Sequence, residues 1–305
     1  MRRKFMALKM AAVFSAFILT ACGNGKTEPE TTKGSAGGSD ITAAAETTTA
    51  AATAGSEGAK DTVQGGLLAS IKESGKLVVG TASGYPPYEF VDITSANQSV
   101  IGIDMELAQS IADELGVKLE IQDMTFSSLL SSLPAHKIDL AIAGIAPTDE
   151  RKKTIDFTDN YLTAEQKILV LKDEADQLKT LADFSNKAVA AEKSTTQEAL
   201  AKEKLTESTI TSLEKVPDCI LELKSGKISG IVVESIVGEQ YVETDPSLTF
   251  SEASFDTYKY SAIALEKGNE DLIEIVNKVI KKHTDNGDFD KWVKEYSKKA
   301  GENAK

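Results

Sequence analysis

Cysteine and histidine are the scarcest chemically active residues here: two of each in 305 residues. Two cysteines cannot build a disulfide framework. His136 and His283 stand far apart in polar stretches, and no HExxH or paired-cysteine spacing occurs, so no metal site is predicted. An excess of positive charge is also missing. Lys and Arg total 34 against 47 Asp and Glu, a net charge of −13, which argues against a nucleic-acid binder. There is no GxSxG elbow and no dinucleotide fingerprint. "GNGKT" at 23–27 resembles the end of a phosphate loop but lacks the upstream glycine and a preceding strand. No catalytic residue and no cofactor are predicted. A long apolar run is absent too. "MALKMAAVFSAFILT" is broken by Lys9 and is too short to span a bilayer.

That run follows "MRRK" and ends in Leu19-Thr20-Ala21-Cys22, the layout of an export signal over 1–22. The ending resembles a lipobox, the cleavage signal of bacterial lipoproteins. The resemblance implies that Cys22 becomes the N-terminus and carries lipid, palmitate included. Two acyl chains would hold the protein on the outer face of the cell membrane, as in a Gram-positive-type bacterium. With Cys22 lipidated, Cys219 has no disulfide partner. It shares a helix face with Val216, Ile220 and Leu223 and reads as a small buried hydrophobe. Residues 23–66 are Thr, Ala, Gly, Ser and Glu with almost no large apolar side chain. They cannot bury enough surface to offset their ordering entropy and read as a tether.

From Leu67 the pattern alternates strand and helix. "KLVVGTA", "VKLEIQDM" and "IDLAIAGIA" are short strands. Between them, "DMELAQSIADELG" places Met105, Ala108, Ile111, Ala112 and Leu115 on one face with Gly116 as C-cap, and "FSSLLSSLPAHK" places Phe126, Leu129, Leu130 and Leu133 at helical spacing. The rhythm restarts in "QKILVLK", "KAVAAEKSTTQEALAKEKL", "CILELKSGK" and "ISGIVVES". A last block, 257–299, holds one strand and two amphipathic helices. This order predicts two α/β lobes, each a mainly parallel sheet flanked by helices. Lobe 1 is 67–161 and 261–300, and lobe 2 is 162–260, with crossovers near 161–166 and 256–261. Ligands bind outside the carboxyl ends of such strands.

One residue sits oddly at such an end. In "AGIAPTDERKKTIDF" Thr148 reads as a helix N-cap, with Asp149 and Glu150 in a favourable first turn. Arg151 follows at the dipole end that disfavours a cation. It either pairs with Asp149 or Glu150 on the surface or serves a ligand.

The strand ends, taken together, resemble the polar amino-acid solute-binding proteins of ABC importers. "VVGTASGYPPYEF", "IGIDMELAQSIADELGVKLEI", "DLAIAGIAPTDERKKTIDFTDNY", "STTQEAL" and "ELKSGKISGIVVES" carry the resemblance in order across roughly 67–300. It implies a type II periplasmic-binding-protein fold and a role for Arg151, which would grip the ligand α-carboxylate with a two-pronged hydrogen bond. It implies that Glu234 holds the α-ammonium and that Tyr85 and Phe126 sandwich the side chain. Gly144 would lend backbone, and Thr195, Thr196 and Gln197 would meet the carboxylate from the second lobe or cap the following helix. Ala146 departs from the family's hydroxyl, and Ala82 from its frequent Asp. Glu192 would suit a cationic side chain, and favours arginine or lysine, or else faces solvent. The implied partners are a free L-amino acid and an ABC permease with its ATPase subunit, and a monomer is expected. The alternatives are a glutamine or other neutral-ligand binder, or a cyclohexadienyl (arogenate) dehydratase-like enzyme on the same fold.

Overall fold

The structure, a computed structural model, describes residues 66–303. The predicted signal 1–22, Cys22 and the tether over 23–65 lie outside the described residues. Gly66, assigned to the tether from sequence, instead opens helix α1 (Gly66–Ser74). Its neighbour's N–H, unpaired at a helix start, donates across the fold from Leu67 to Asn269 Oδ1 at 3.0 Å.

The first half of the fold follows the predicted rhythm. It runs β1 (Lys76–Thr81), β2 (Phe90–Val91), β3 (Val100–Ile101), α2 (Ile103–Leu115), β4 (Lys118–Asp123), α3 (Phe126–Ser132) and β5 (Leu140–Ile145). β1 lies between β4 and β5, parallel to both. Strands covered on both faces need continuous apolar runs, and every residue of β5 is buried. The predicted face of α2 is buried, and Gly116 caps it in the left-handed conformation at φ 71°. α3 stops at Ser132, ahead of Pro134, which cannot donate to a continuing helix.

The predicted helix at Thr148 does not form. A single 3₁₀ turn, Arg151–Lys153, stands there. The reason is length: the next strand already begins at Ile155, which pairs with Glu266. That strand, β6 (Ile155–Leu171), runs unbroken through the predicted crossover.

The second half holds β7 (Ala188–Glu192), α4 (Thr196–Lys204), β8 (Thr209–Leu213), α5 (Val216–Lys224), β9 (Gly230–Glu234), α6 (Ser235–Thr244) and β10 (Leu248–Phe250). The last block is β11 (Tyr258–Glu266), α7 (Glu270–Asp285) and α8 (Asp288–Asn303). Sheet order is β4-β1-β5-β11-β6-β9-β7-β8, with β10 beside β6. β7 is parallel to β8 and β9. β11 and β6 are antiparallel to their neighbours, so the two parallel sets are joined through an antiparallel pair. α7 packs on α2 and β6, while α8 packs on α2, α6 and α7. Cys219 is buried, and burial pushes its thiol up to about 12, so it is inert at neutral pH.

Candidate functional site

Four strands end at one place. Thr81, Ile145, Glu192 and Glu234 close β1, β5, β7 and β9. The segments beyond β1, β5 and β7, with Phe126 and Lys259, line a cleft of about 290 Å³, counting space open to solvent. Its lining includes nine of the ten residues singled out from sequence: Tyr85, Phe126, Gly144, Ala146, Arg151, Glu192, Thr195, Thr196 and Gln197. Glu89 and Lys259, which sequence reasoning missed, line it too.

Arg151 is held from two sides. Nη1 donates to Ala146 O at 2.9 Å and Nη2 to Ser194 O at 3.1 Å, and the guanidinium lies 5.4 Å from the Phe126 ring centre. Ala146 belongs to the first half of the fold and Ser194 to the second. Thr148 Oγ1 accepts the Arg151 backbone N–H at 3.3 Å, so its hydroxyl is used within the turn. Neither Asp149 nor Glu150 forms an ion pair with the guanidinium among the described residues. Burial lowers the Arg151 pKa from its ordinary value, and the charge of Glu150 opposes this.

Thr195 is the N-cap of α4. Its Oγ1 accepts from Glu198 N–H at 3.2 Å and donates to Glu192 O at 2.5 Å. Gln197 Nε2 donates to the Tyr85 hydroxyl at 3.4 Å, and Lys215 Nζ to Ser83 Oγ at 3.4 Å. These are further links between the halves.

Glu192 does not face bulk solvent. It is 7% exposed, and no donor reaches its carboxylate among the described residues. Burial pushes it up to about 8, with Lys259 and Lys215 pulling the other way. Glu89, 1% exposed, is held well above the carboxylate range by burial and by the charge of Asp104. Asp104 accepts from Gly144 N–H at 2.8 Å and from the Tyr161 hydroxyl at 2.8 Å, and burial pushes it up to about 7.

Glu234 differs from the sequence reading. It is fully buried, and its Oε2 lies 2.6 Å from Lys259 Nζ. The cation that this carboxylate requires is therefore supplied by the chain itself. Lys259 Nζ also lies 4.9 Å and 5.3 Å from the Tyr85 and Tyr88 ring centres. Gly144, at φ 52°, leaves the room: a Cβ there would sit 3.1 Å from Nζ. The signal for Lys259 was present in "TYKYS", where strand alternation puts it opposite the exposed Tyr258 and Tyr260.

The chain is similar to known proteins over most of the described residues. The chain is 34% identical over 231 residues to the arginine-binding extracellular protein ArtP of Bacillus subtilis, a match covering 73% of this chain and 88% of that one. It superposes with a TM-score of 0.74 and 36% identity on an amino acid ABC transporter substrate-binding protein, AbpA from Streptococcus pneumoniae, bound to L-arginine, covering 76% and 98% of the two chains. It also superposes, with a TM-score of 0.69 and 33% identity over 75% and 98%, on an ancestral amino acid-binding protein described as a precursor of cyclohexadienyl dehydratase. These neighbours share its two-lobed architecture. The model for bacterial extracellular solute-binding proteins, family 3, matches residues 77–299. That stretch takes in every residue lining the cleft, and the chain belongs to this family.

Proposed function

We propose that the protein is the receptor of an ABC importer and binds a free amino acid, best a basic one such as arginine, in this cleft. One observation carries the reading: the cleft holds a guanidinium without a carboxylate partner and a buried carboxylate without a donor. Arg151 suits an α-carboxylate, which a guanidinium meets bidentately. Glu192 suits a ligand cation. Tyr85 and Phe126 offer faces for an alkyl stem. Thr196 and Gln197 sit at the start of α4 beside the Thr195 cap, where an anion is favoured. Arginine-binding relatives and an arginine-bound neighbour support the basic ligand. Titration calorimetry with the twenty amino acids and citrulline tests this. Arginine or lysine should bind at least tenfold more tightly than glutamine or citrulline. Binding by none of them would overturn the reading.

Lobes over 67–161 with 261–300 and over 162–260 would close on the ligand about β6 and β11. The closed monomer would then engage the permease, whose ATPase supplies the energy. Lipid on Cys22 would keep the receptor at the outer membrane face, and Cys22→Ala should release it into the medium.

A second reading has its own support. An acid that keeps its proton to about pH 8 could act as a general acid, as a dehydratase requires. Incubation with a cyclohexadienyl substrate decides it, and aromatic absorbance should not appear.

A further inference from the structure

We propose that Lys259 is a specificity-determining residue that neutralises Glu234 permanently from within, so that the ligand's side-chain cation is met by Glu192 and not by Glu234. The proposal rests on the amino-acid reading of the same cleft. Its basis is geometric. Glu234 and Lys259 are each almost wholly out of solvent, with side-chain exposures of 0% and 5%, and stand 2.6 Å apart. Buried charges persist only when paired. Two aromatic faces hold the ammonium in addition. The ends of this pair are anchored in different strands, β9 and β11, that do not adjoin each other, with β6 between them. Lys259 is paired along that strand with Ala164, so its backbone cannot swing out without breaking the β6–β11 ladder.

A ligand cation directed at Glu234 would have to displace an ammonium already paired and stacked. One directed at Glu192 displaces nothing, because no donor from the protein reaches that carboxylate. The cleft therefore offers Arg151 to a carboxylate and Glu192 to a cation, and Lys259, with Glu234 behind it, forms part of its wall.

The test is a cycle of Lys259→Met, Glu234→Gln and the double variant, each titrated with arginine and with citrulline, an isostere whose side chain is uncharged. Each variant is also melted without ligand. Either single change strands a buried charge and lowers the melting temperature, and the double change restores most of the loss. In Lys259→Met the uncovered Glu234 raises the arginine-to-citrulline affinity ratio at least tenfold. The double variant binds arginine within about threefold of the wild type, while Glu192→Gln loses arginine at least a hundredfold. A hundredfold loss of arginine in the double variant, with its melting temperature restored, would overturn the proposal by making Glu234 the ligand's partner. Additive melting losses without rescue would overturn it as well. A wild type that binds no amino acid defeats the amino-acid reading alone, since the melting cycle still decides whether the pair is internal.

Discussion

Arg151 enters the cleft already oriented, because Ala146 O and Ser194 O each take one of its N–H groups and Phe126 carries its face. Pre-ordering leaves little entropy to lose when a carboxylate arrives. Arg151→Met should therefore cost about 3 kcal/mol of binding, roughly a hundredfold, as for truncating one side of a hydrogen-bonded charge pair. Calorimetry should show that loss while the melting temperature moves by only a few degrees. Glu192 leads to a pH prediction of opposite sense to that of an exposed acid. Its folded pKa, about 8, lies above the ordinary carboxylate value. The folded state then holds a proton that the unfolded state has released, so stability falls as pH rises from about 5 to about 8. Asp104, at about 7, adds to the fall. Melting the ligand-free protein across that range should show the decline, and Glu192→Gln should flatten part of it. A ligand cation beside Glu192 favours the ionised form, so arginine affinity should rise with pH, by at most tenfold per unit, and level off above about 8.

At the scale of elements, the cleft depends on how helices are started next to strand ends. α2 begins at Gly102, whose φ is 140° and where an added Cβ would lie 2.0 Å from Tyr88 O. That carbonyl cannot move freely, because it accepts from Asp104 N–H at 3.0 Å. Gly102→Ala should destabilise by about 3 kcal/mol, in the range of backbone strain plus overpacking. Gly116 caps the other end of α2 with a left-handed φ of 71° but open space around it. Gly116→Ala should cost only about 1 kcal/mol. Urea unfolding of both variants checks the order, and equal losses would contradict the close approach at Gly102. Thr195→Ala should cost about 1 kcal/mol through loss of its cap on α4.

Across the whole molecule, the polar contacts that tie the halves together at the cleft include Arg151 to Ser194, Gln197 to Tyr85 and Lys215 to Ser83. Each is a single hydrogen bond at 3.1 to 3.4 Å, worth little by itself. A ligand touching both sides adds its differential affinity for the closed arrangement. At a hundred times its Kd it should stabilise the fold by about 2.7 kcal/mol. Thermal unfolding should rise accordingly with arginine, and small-angle scattering should show a smaller radius of gyration. A rise with no compaction would sink closure about β6 and β11 while leaving binding intact.

The elements were legible from sequence because period and capping are local: the α2 stripe ends at Gly116, and the apolar run of β5 stops before Pro147. Most cleft residues were legible through motif spacing, since strand ends and the turns after them are short-range features. Three things were not. The turn at Arg151 looks like a helix start by composition, but the pairing of Ile155 with a strand more than a hundred residues away leaves it no length. Glu192 could have faced solvent or ligand, and only the packing of β7 buried it. Lys259 and Glu234 lie on strands that become near neighbours only when the two halves join through β6. Local sequence determined most strands and helices and the turns that follow the strand ends. Which charges find partners within the protein was decided by the tertiary structure, because that depends on distances between residues far apart in the chain.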